Sequence, residues 1–368
     1  MHARRFATAL ALLLLCNPTH AQETVTIGVA VPLSGPLAPL GAEIEAGVRA
    51  AAAQLNDAGG VRGMNVAVEA IDDGCAEERA LAVANRLAGA GVVMVVGHLC
   101  SAPAIAAAPV YVGERIIQIA PGAPDPAYTE EARGTGTFRL HARSDAEAGV
   151  VTEFLAATFP TATIAIIDDR TSYGRSLATG VRDGLAARGL TAIVSQSYFR
   201  SELDPAALAD RLRAAGVGVV FAAGDPAEMA ALRNDLVAAG IDAPFVTGDV
   251  AADPAFLAGA GDNADGVIFT FPPDYAAAPA AAVPVAALAA AGAIAGNAAL
   301  TGFAAVEVWA DAVQAAENLD YEDVAAAIEA GVFTTALGTI AFNDIGEADV
   351  AGWIVQVWED GIHTPYQP

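Results

Sequence analysis

From Thr24 onward the chain repeats one unit: a short apolar run, a turn, a helical stretch, then the next apolar run. Few folds accept that pattern, because parallel strands need a crossover between them and the crossover helices must then cover both faces of the sheet. Residues 25–31, 65–71, 92–96 and 116–119 read as strands, with helices over 42–56, 77–87 and 102–112. Gly59-Gly60 closes the first helix where positive φ costs little. A second series follows, with helices at 146–157, 173–188, 205–214 and 228–239 and strands at 163–167, 191–198, 217–222 and 245–247. Two similar series in tandem predict an α/β protein of two Rossmann-like lobes with a cleft between them.

The remainder does not begin a third lobe. Residues 267–271 read as a strand running into Pro272-Pro273, and the Ala-rich stretch 276–295 as a solvated helix with proline near its start. Helices at about 297–317 and 321–330, a strand at 339–342 and one last strand at 353–358 complete the chain. The simplest accommodation gives lobe one residues 22–142 plus 271–349 and lobe two residues 143–270 plus 350–368. Three crossovers, near Ala142, Thr270 and Val350, would then form a hinge.

Residues 1–21 have the form of a secretory signal: Arg4 and Arg5 in the basic region, an apolar run over 6–15, and Thr19-His20-Ala21 before the cut. Cys16 follows Leu15, whereas a lipid-anchor site needs a small residue there, so a plain cleaved signal is the expectation. Beyond that run no apolar stretch is long and unbroken enough to span a bilayer, because Pro279, Pro284 and Gly292 interrupt the Ala-rich one. Export to an oxidising compartment leaves Cys75 and Cys100, and a single bridge between them is the simple reading, against two buried thiols that never meet. Closing a loop of that length would stabilise the fold by roughly 3.5 kcal/mol in the chain-entropy model.

Composition removes several functions. The 368 residues carry a net charge of −25, which speaks against nucleic acid as a partner. No lysine occurs, so phosphate-loop, Schiff-base and kinase-strand lysines are all excluded. After cleavage only His98, His141 and His363 remain, too few and too scattered for a catalytic or metal constellation. The chain lacks a nucleophile paired with a base, so an exported hydrolase is disfavoured, and neither a cofactor nor a metal is expected. Gly97-His98-Leu99-Cys100-Ser101, between an apolar strand and a helix, is the segment best suited to hold a small anion, because its hydroxyl and unpaired backbone N–H groups converge.

Several motifs occur in a telling order: V-P-L-S-G-P from Val31, N-D-A-G-G-V-R-G from Asn56, D-D-G-C from Asp72, V-V-G-H-L-C-S from Val95 and I-A-P-G-A from Ile119. Phe138-Arg139, Ser144-Asp145, D-D-R-T-S-Y-G from Asp168, Asp249 and Ala264-Asp265-Gly266 continue the series. Together these resemble the leucine/isoleucine/valine-binding proteins of bacterial ABC importers, over nearly the whole mature chain. The resemblance implies a type I periplasmic binding fold and a periplasmic receptor that closes on a small ligand, commonly an amino acid, and presents it to a membrane permease. It also implies the site residues. Ser101 would hold the ligand carboxylate, with a plain helix cap as the alternative, and Leu99 lies beside it. Gly122 and Ala123 would present backbone to the amino-acid head, Tyr173 would close over the ligand from lobe two, and Asp249 would pair with its ammonium. Asp145 belongs to the same matched set.

Three departures bear on the ligand. Pro124 stands where Ser or Thr is usual and supplies neither hydroxyl nor N–H; Asp225 and Leu40 each stand where an aromatic is common. A receptor of the same fold for an aromatic or other small carboxylate, or for an amine or amide, is therefore the alternative, and a sensor domain feeding a membrane kinase is a third. The processing expectation is checked by intact mass of exported protein: the chain should start at Gln22, and a diacylglyceryl adduct on Cys16 would contradict it.

Overall fold

The computed structural model describes residues 23–131, 134–350 and 352–367; the signal segment lies outside them. Lobe one runs β1 (Thr24–Val31), α1 (Ala38–Asp57), β2 (Asn65–Asp72), α2 (Glu77–Gly89), β3 (Met94–Gly97), α3 (Ser101–Gly113), β4 (Ile117–Ala120), α4 (Ala127–Glu130) and β5 (Thr137–Arg139). Its five strands lie in the order β2-β1-β3-β4-β5, all parallel. Lobe two repeats the scheme with α5 (Ser144–Thr158), β6 (Ile164–Asp168), α6 (Ser172–Ala187), β7 (Val194–Ser197), α7 (Pro205–Ala215), β8 (Val219–Ala223), α8 (Pro226–Ala238), β9 (Phe245–Thr247), α9 (Pro254–Ala260) and β10 (Ile268–Phe271). Its parallel strands run β7-β6-β8-β9-β10, the same winding as lobe one.

The chain then returns to lobe one through α10 (Ala282–Ala290), α11 (Asn297–Ala316), α12 (Tyr321–Ala330) and the hairpin β11 (Val332–Thr335) and β12 (Gly338–Ala341). It ends in lobe two with β13 (Ile354–Glu359) antiparallel to β10, and β14 (Ile362–Pro365) antiparallel to β13. Two Rossmann-like lobes are thus joined by three chain segments.

Local sequence explains many of the helix starts. Asp204-Pro205, Asp225-Pro226 and Asp253-Pro254 open α7, α8 and α9: each Asp accepts a backbone N–H of the first turn, while Pro fills a position whose N–H would have no helical partner. Other details differ from the sequence expectation. The Ala-rich stretch is not one solvated helix; two short 3-10 turns precede α10, whose Pro284 and Leu288 are buried. Pro284 falls in the first turn, where proline is tolerated, and Gly292 at φ 72° stops the helix. The last apolar run is one arm of a hairpin, and its partner β14 carries too little apolar alternation to stand out.

Lobe one is held by α1 against α11. Adding a Cβ to Gly47 would bring it within 1.9 Å of the Ala299 carbonyl oxygen, and at Gly302 within 2.5 Å of the Ile44 carbonyl oxygen, so the two backbones touch where both helices lack side chains. Trp309, Phe303, Ile44 and Val48 fill the space on either side. Gly47→Ala should cost about 1–3 kcal/mol or more through overpacking, measured as a lower urea midpoint, whereas Gly89→Ala, open on all sides, should not destabilise.

Candidate functional site

In a doubly wound sheet the loops after the carboxyl ends of the strands flank the point where strand order reverses. The loops after β3 and β4 of lobe one, and those after β6 and β9 of lobe two, supply the site here. A cavity of about 300 Å³ lies between the lobes, lined by Ser101, Pro124 and Asp125 from lobe one, by Ser144 at the first crossover, and by Tyr173, Ser176 and Leu177 from lobe two. That volume is at the small end of ligand pockets.

The lobe-one wall is rigid for identifiable reasons. Cys75 and Cys100 form a disulfide, with Cα atoms 5.5 Å apart. Beneath it, Asp73 and His98 are fully buried, their Oδ2 and Nδ1 atoms 2.6 Å apart, and the Tyr111 hydroxyl lies 3.3 Å from His98 Nε2. No side chain caps α3, so its first N–H groups face outward at Ser101. Ser101 Oγ accepts the Asp125 N–H at 3.1 Å, which leaves the hydroxyl's own hydrogen free to donate. The next loop folds back on this one: Ala123 N–H donates to the Leu99 carbonyl at 2.7 Å. Gly122 permits that approach, since a Cβ there would lie 2.3 Å from the same carbonyl oxygen.

Arg139 holds the loop from behind. Fully buried, it donates through Nη1 to the carbonyls of Ala123 (2.7 Å) and Asp125 (2.8 Å) and through Nη2 to Thr129 Oγ1 (2.6 Å). Its charge is matched by Glu347, from the third connection between the lobes. Burial works to raise the Glu347 carboxyl, but hydrogen bonds from Thr129 and Arg139 and the charges of Arg139 and Arg143 outweigh it and hold the group below its ordinary value. Pro124, lacking an N–H, contributes its carbonyl instead, accepting from Ser144 N–H (3.0 Å) and Oγ (3.2 Å) at the first crossover.

The lobe-two wall is built around Tyr173. Asp169 fixes its loop by accepting from Thr171 N–H (3.0 Å) and Oγ1 (2.7 Å) and from Asp225 N–H (2.7 Å). The Tyr173 hydroxyl then lies 2.9 Å from Asp249 Oδ1 and 3.1 and 3.2 Å from the two carboxyl oxygens of Glu147. Glu147 is fully buried, and its Oε1 also accepts from Asp249 N–H (3.0 Å) and Thr270 Oγ1 (2.6 Å). Burial, with the neighbouring Asp249 charge, pushes the Glu147 carboxyl up to about 8, and burial likewise raises Asp249. Among the described residues no basic side chain forms an ion pair with either. The wall therefore has an acidic centre that welcomes a cation.

Of the residues read from sequence, Ser101, Pro124 and Tyr173 line the cavity together. Leu99, Gly122 and Ala123 form the layer behind it, and Asp249 is linked to it through the Tyr173 hydroxyl. Asp145 is turned away, paired with Arg143 at 2.6 Å. Asp225 caps α8, accepting Ala227 N–H at 3.0 Å. Leu40 lines a separate cavity of about 730 Å³ with Phe271, Pro272 and His363, because the first turn of α1 faces the β13 and β14 side. Sequence reasoning passed over Asp125, Ser176 and above all Glu147. The spacing Ser144-x-x-Glu147 imitates a capping box, which would send the glutamate back to its own helix start; instead Ser144 bonds Pro124 and Glu147 points inward.

The geometry is that of a two-lobe solute-binding protein, with a small cavity between two strand-end surfaces. The chain belongs to the periplasmic binding protein family, whose model matches residues 24–361. It is 34% identical to the Leu/Ile/Val-binding protein homolog 1 of Brucella abortus over 94% of this chain and 93% of that protein. It is 31% identical to the leucine-, isoleucine-, valine-, threonine-, and alanine-binding protein of Pseudomonas aeruginosa over 96% of this chain and 95% of that one. An ABC transporter substrate-binding protein from Desulfitobacterium hafniense, solved in complex with Leu, has the same fold, with TM-score 0.77 and 23% identity over 94% of this chain and all of that chain (100%). The chain is a binding protein and not an enzyme.

Arg139→Met should leave the half-buried Glu347 with Arg143 as its remaining cation and release two site-loop carbonyls. We expect a loss of about 3–5 kcal/mol in urea unfolding, against a much smaller loss for the exposed Arg49→Met.

Proposed function

We propose that the chain is the periplasmic receptor of an ABC importer, which captures a small zwitterionic amino acid between its lobes and delivers it to a membrane permease. One observation carries this reading: hydrogen-bond donors of lobe one and carboxyl groups of lobe two, the latter behind Tyr173, stand on opposite sides of the cavity. On lobe one, the α3 N-terminus and the free Ser101 hydroxyl hydrogen favour a carboxylate. On lobe two, Tyr173 fronts Asp249, whose carboxylate favours an ammonium, with Glu147 buried behind them. A zwitterion bridging the two would gain most when the lobes close, so closure and capture are one event. The secretory signal and the disulfide fit delivery to an oxidising periplasm.

Pro124 shifts the carboxylate contacts toward Ser101, since it offers no donor of its own. A neutral side chain beyond the head group would rest on Pro124 and Leu177. Thermal-shift screening of amino acids, aromatic acids and amines identifies the solute, because a ligand that binds only the native state raises the melting temperature. The neutral amino acids should give the largest shifts. Asp249→Asn should weaken the best of them by about 2–5 kcal/mol in calorimetry, as expected when one partner of a desolvated charge pair is removed. Equal binding by that variant would mean that no ammonium sits there, and a carboxylate or neutral solute would replace the amino acid.

A further inference from the structure

A hydroxyl carries one proton, yet the Tyr173 oxygen lies within hydrogen-bond reach of three carboxyl oxygens: Asp249 Oδ1 at 2.9 Å and Glu147 Oε1 and Oε2 at 3.1 and 3.2 Å. Both carboxyl groups ionised would leave one proton for three acceptors, with two negative charges close together and no basic group paired with either among the described residues. The hydrogen-bond inventory of Glu147 resolves the shortage. Oε1 already accepts from Asp249 N–H and from Thr270 Oγ1, so it has no place for a proton of its own. Oε2 has Tyr173 as its one partner among the described residues.

We propose that Glu147 is the positioning residue of the cation subsite: protonated on Oε2, it donates to the Tyr173 hydroxyl, which is thereby committed to donate to Asp249. The chain Glu147 Oε2–H to Tyr173 O–H to Asp249 Oδ1 uses every proton once and leaves a single negative charge, on Asp249. It rests on the reading of Asp249 as the ammonium partner. Glu147 does not itself touch the ligand; it is fully buried and its oxygens are consumed within lobe two. It also sets which way the Tyr173 hydroxyl points, and so keeps that proton from competing with the ammonium at more than one Asp249 oxygen.

The relay spans four elements. Glu147 stands in the first turn of α5, just after the first crossover, and Thr270 is in β10, just before the second. Tyr173 comes from α6 and Asp249 from the 3-10 turn after β9. Among the described residues, Asp249 and Tyr173 are the titratable groups facing Glu147; Thr270 cannot titrate, and Val355 of β13, beside α5, is apolar. On α5 itself Asp145 is committed to Arg143. Gly248 keeps the space open, because a Cβ there would lie 2.0 Å from the Tyr173 hydroxyl and 2.8 Å from Glu147 Oε1.

Glu147→Gln and Glu147→Ala separate this role from bulk packing. Glutamine reproduces the protonated acid: its oxygen accepts from Asp249 N–H and Thr270, and its amide donates to Tyr173, at any pH. The first measurement needs no ligand. Because the native state favours the protonated acid and the unfolded chain does not, Glu147 makes the parent lose stability as pH rises from about 5 to 9, whereas E147Q loses that slope. Melting temperatures of the two proteins should lie closest near pH 5 and separate progressively up to about pH 8, above which the gap stays constant, with E147Q the higher. Parallel profiles would overturn the proton assignment whatever the solute is. The second measurement uses leucine, or the neutral amino acid that gives the largest shift. E147Q should bind it within about threefold of the parent at pH 7, and E147A at least tenfold more weakly. Equal loss in both variants would overturn the positioning role. If no amino acid binds the parent, the receptor reading fails on its own, while the melting profiles still decide whether Glu147 carries the proton.

Discussion

Arg139 has no contact with solvent, and a buried guanidinium is costly unless its charge is paired and hydrogen-bonded; here both terminal nitrogens are answered, while Nε has no partner among the described residues. Its answers are two carbonyls of the site loop, a threonine hydroxyl and Glu347 from the far end of the sequence. Meeting that requirement forces the loop at Ala123 to Asp125 against β5 and draws the third connection between the lobes to the same spot, where Arg139 N–H also bonds the Gly346 carbonyl. The ligand-facing backbone of lobe one is thus shaped by a charge it hides. Lobe two has the opposite arrangement. Its carboxyl pair, Glu147 buried and Asp249 half-buried, is answered by hydroxyl and amide donors and, among the described residues, by no cation.

The repeated strand order puts these two environments face to face. Each lobe reverses its winding between its first and third strands, and each lines the cavity with loops from the carboxyl ends of its strands. Lobe one meets the cleft with a helix start and a serine, lobe two with a tyrosine backed by acids. Neither wall needs the other to fold, because each lobe has its own core, built around α1 and α11 in lobe one and on both faces of the β6–β8–β9 sheet in lobe two. Independent cores joined by three chain segments leave the distance between the walls as the soft coordinate of the molecule.

Much of this was legible in the residues. Alternating apolar runs and helical stretches reveal the winding because buried parallel strands must be apolar throughout, and Asp-Pro pairs mark helix starts through their backbone chemistry. The β5 strand was harder: it has three residues, and its arginine looks like a surface residue until Glu347, 208 positions later, is placed beside it. Glu147 was hidden by local grammar, since a glutamate three positions after a serine at a helix start has an ordinary explanation within its own helix. Leu40 matches a rim position of the family the chain resembles, yet the first turn of α1 faces another cavity. What sequence did not disclose was long-range pairing of charge, whose partners have no fixed spacing.

The two walls also differ in how firmly they are fixed, and that difference has a consequence for closure. On lobe one the disulfide and the buried Asp73 and His98 pair tie the loop after β3 to the one after β2, and the Arg139 contacts hold the loop after β4, so in the receptor proposed above this wall is ordered before any solute arrives. Preorganisation of this kind lowers the entropic cost of binding but supplies no preference for the closed form, because the contacts are identical whether the lobes are apart or together. In the receptor proposed above the preference would come from the second wall, where a ligand cation would relieve a carboxyl group that burial has made costly. A solute held first by lobe one and then drawn to lobe two would couple capture to closure through that one electrostatic imbalance, and a solute lacking the cation would occupy the first wall without bringing the second to it.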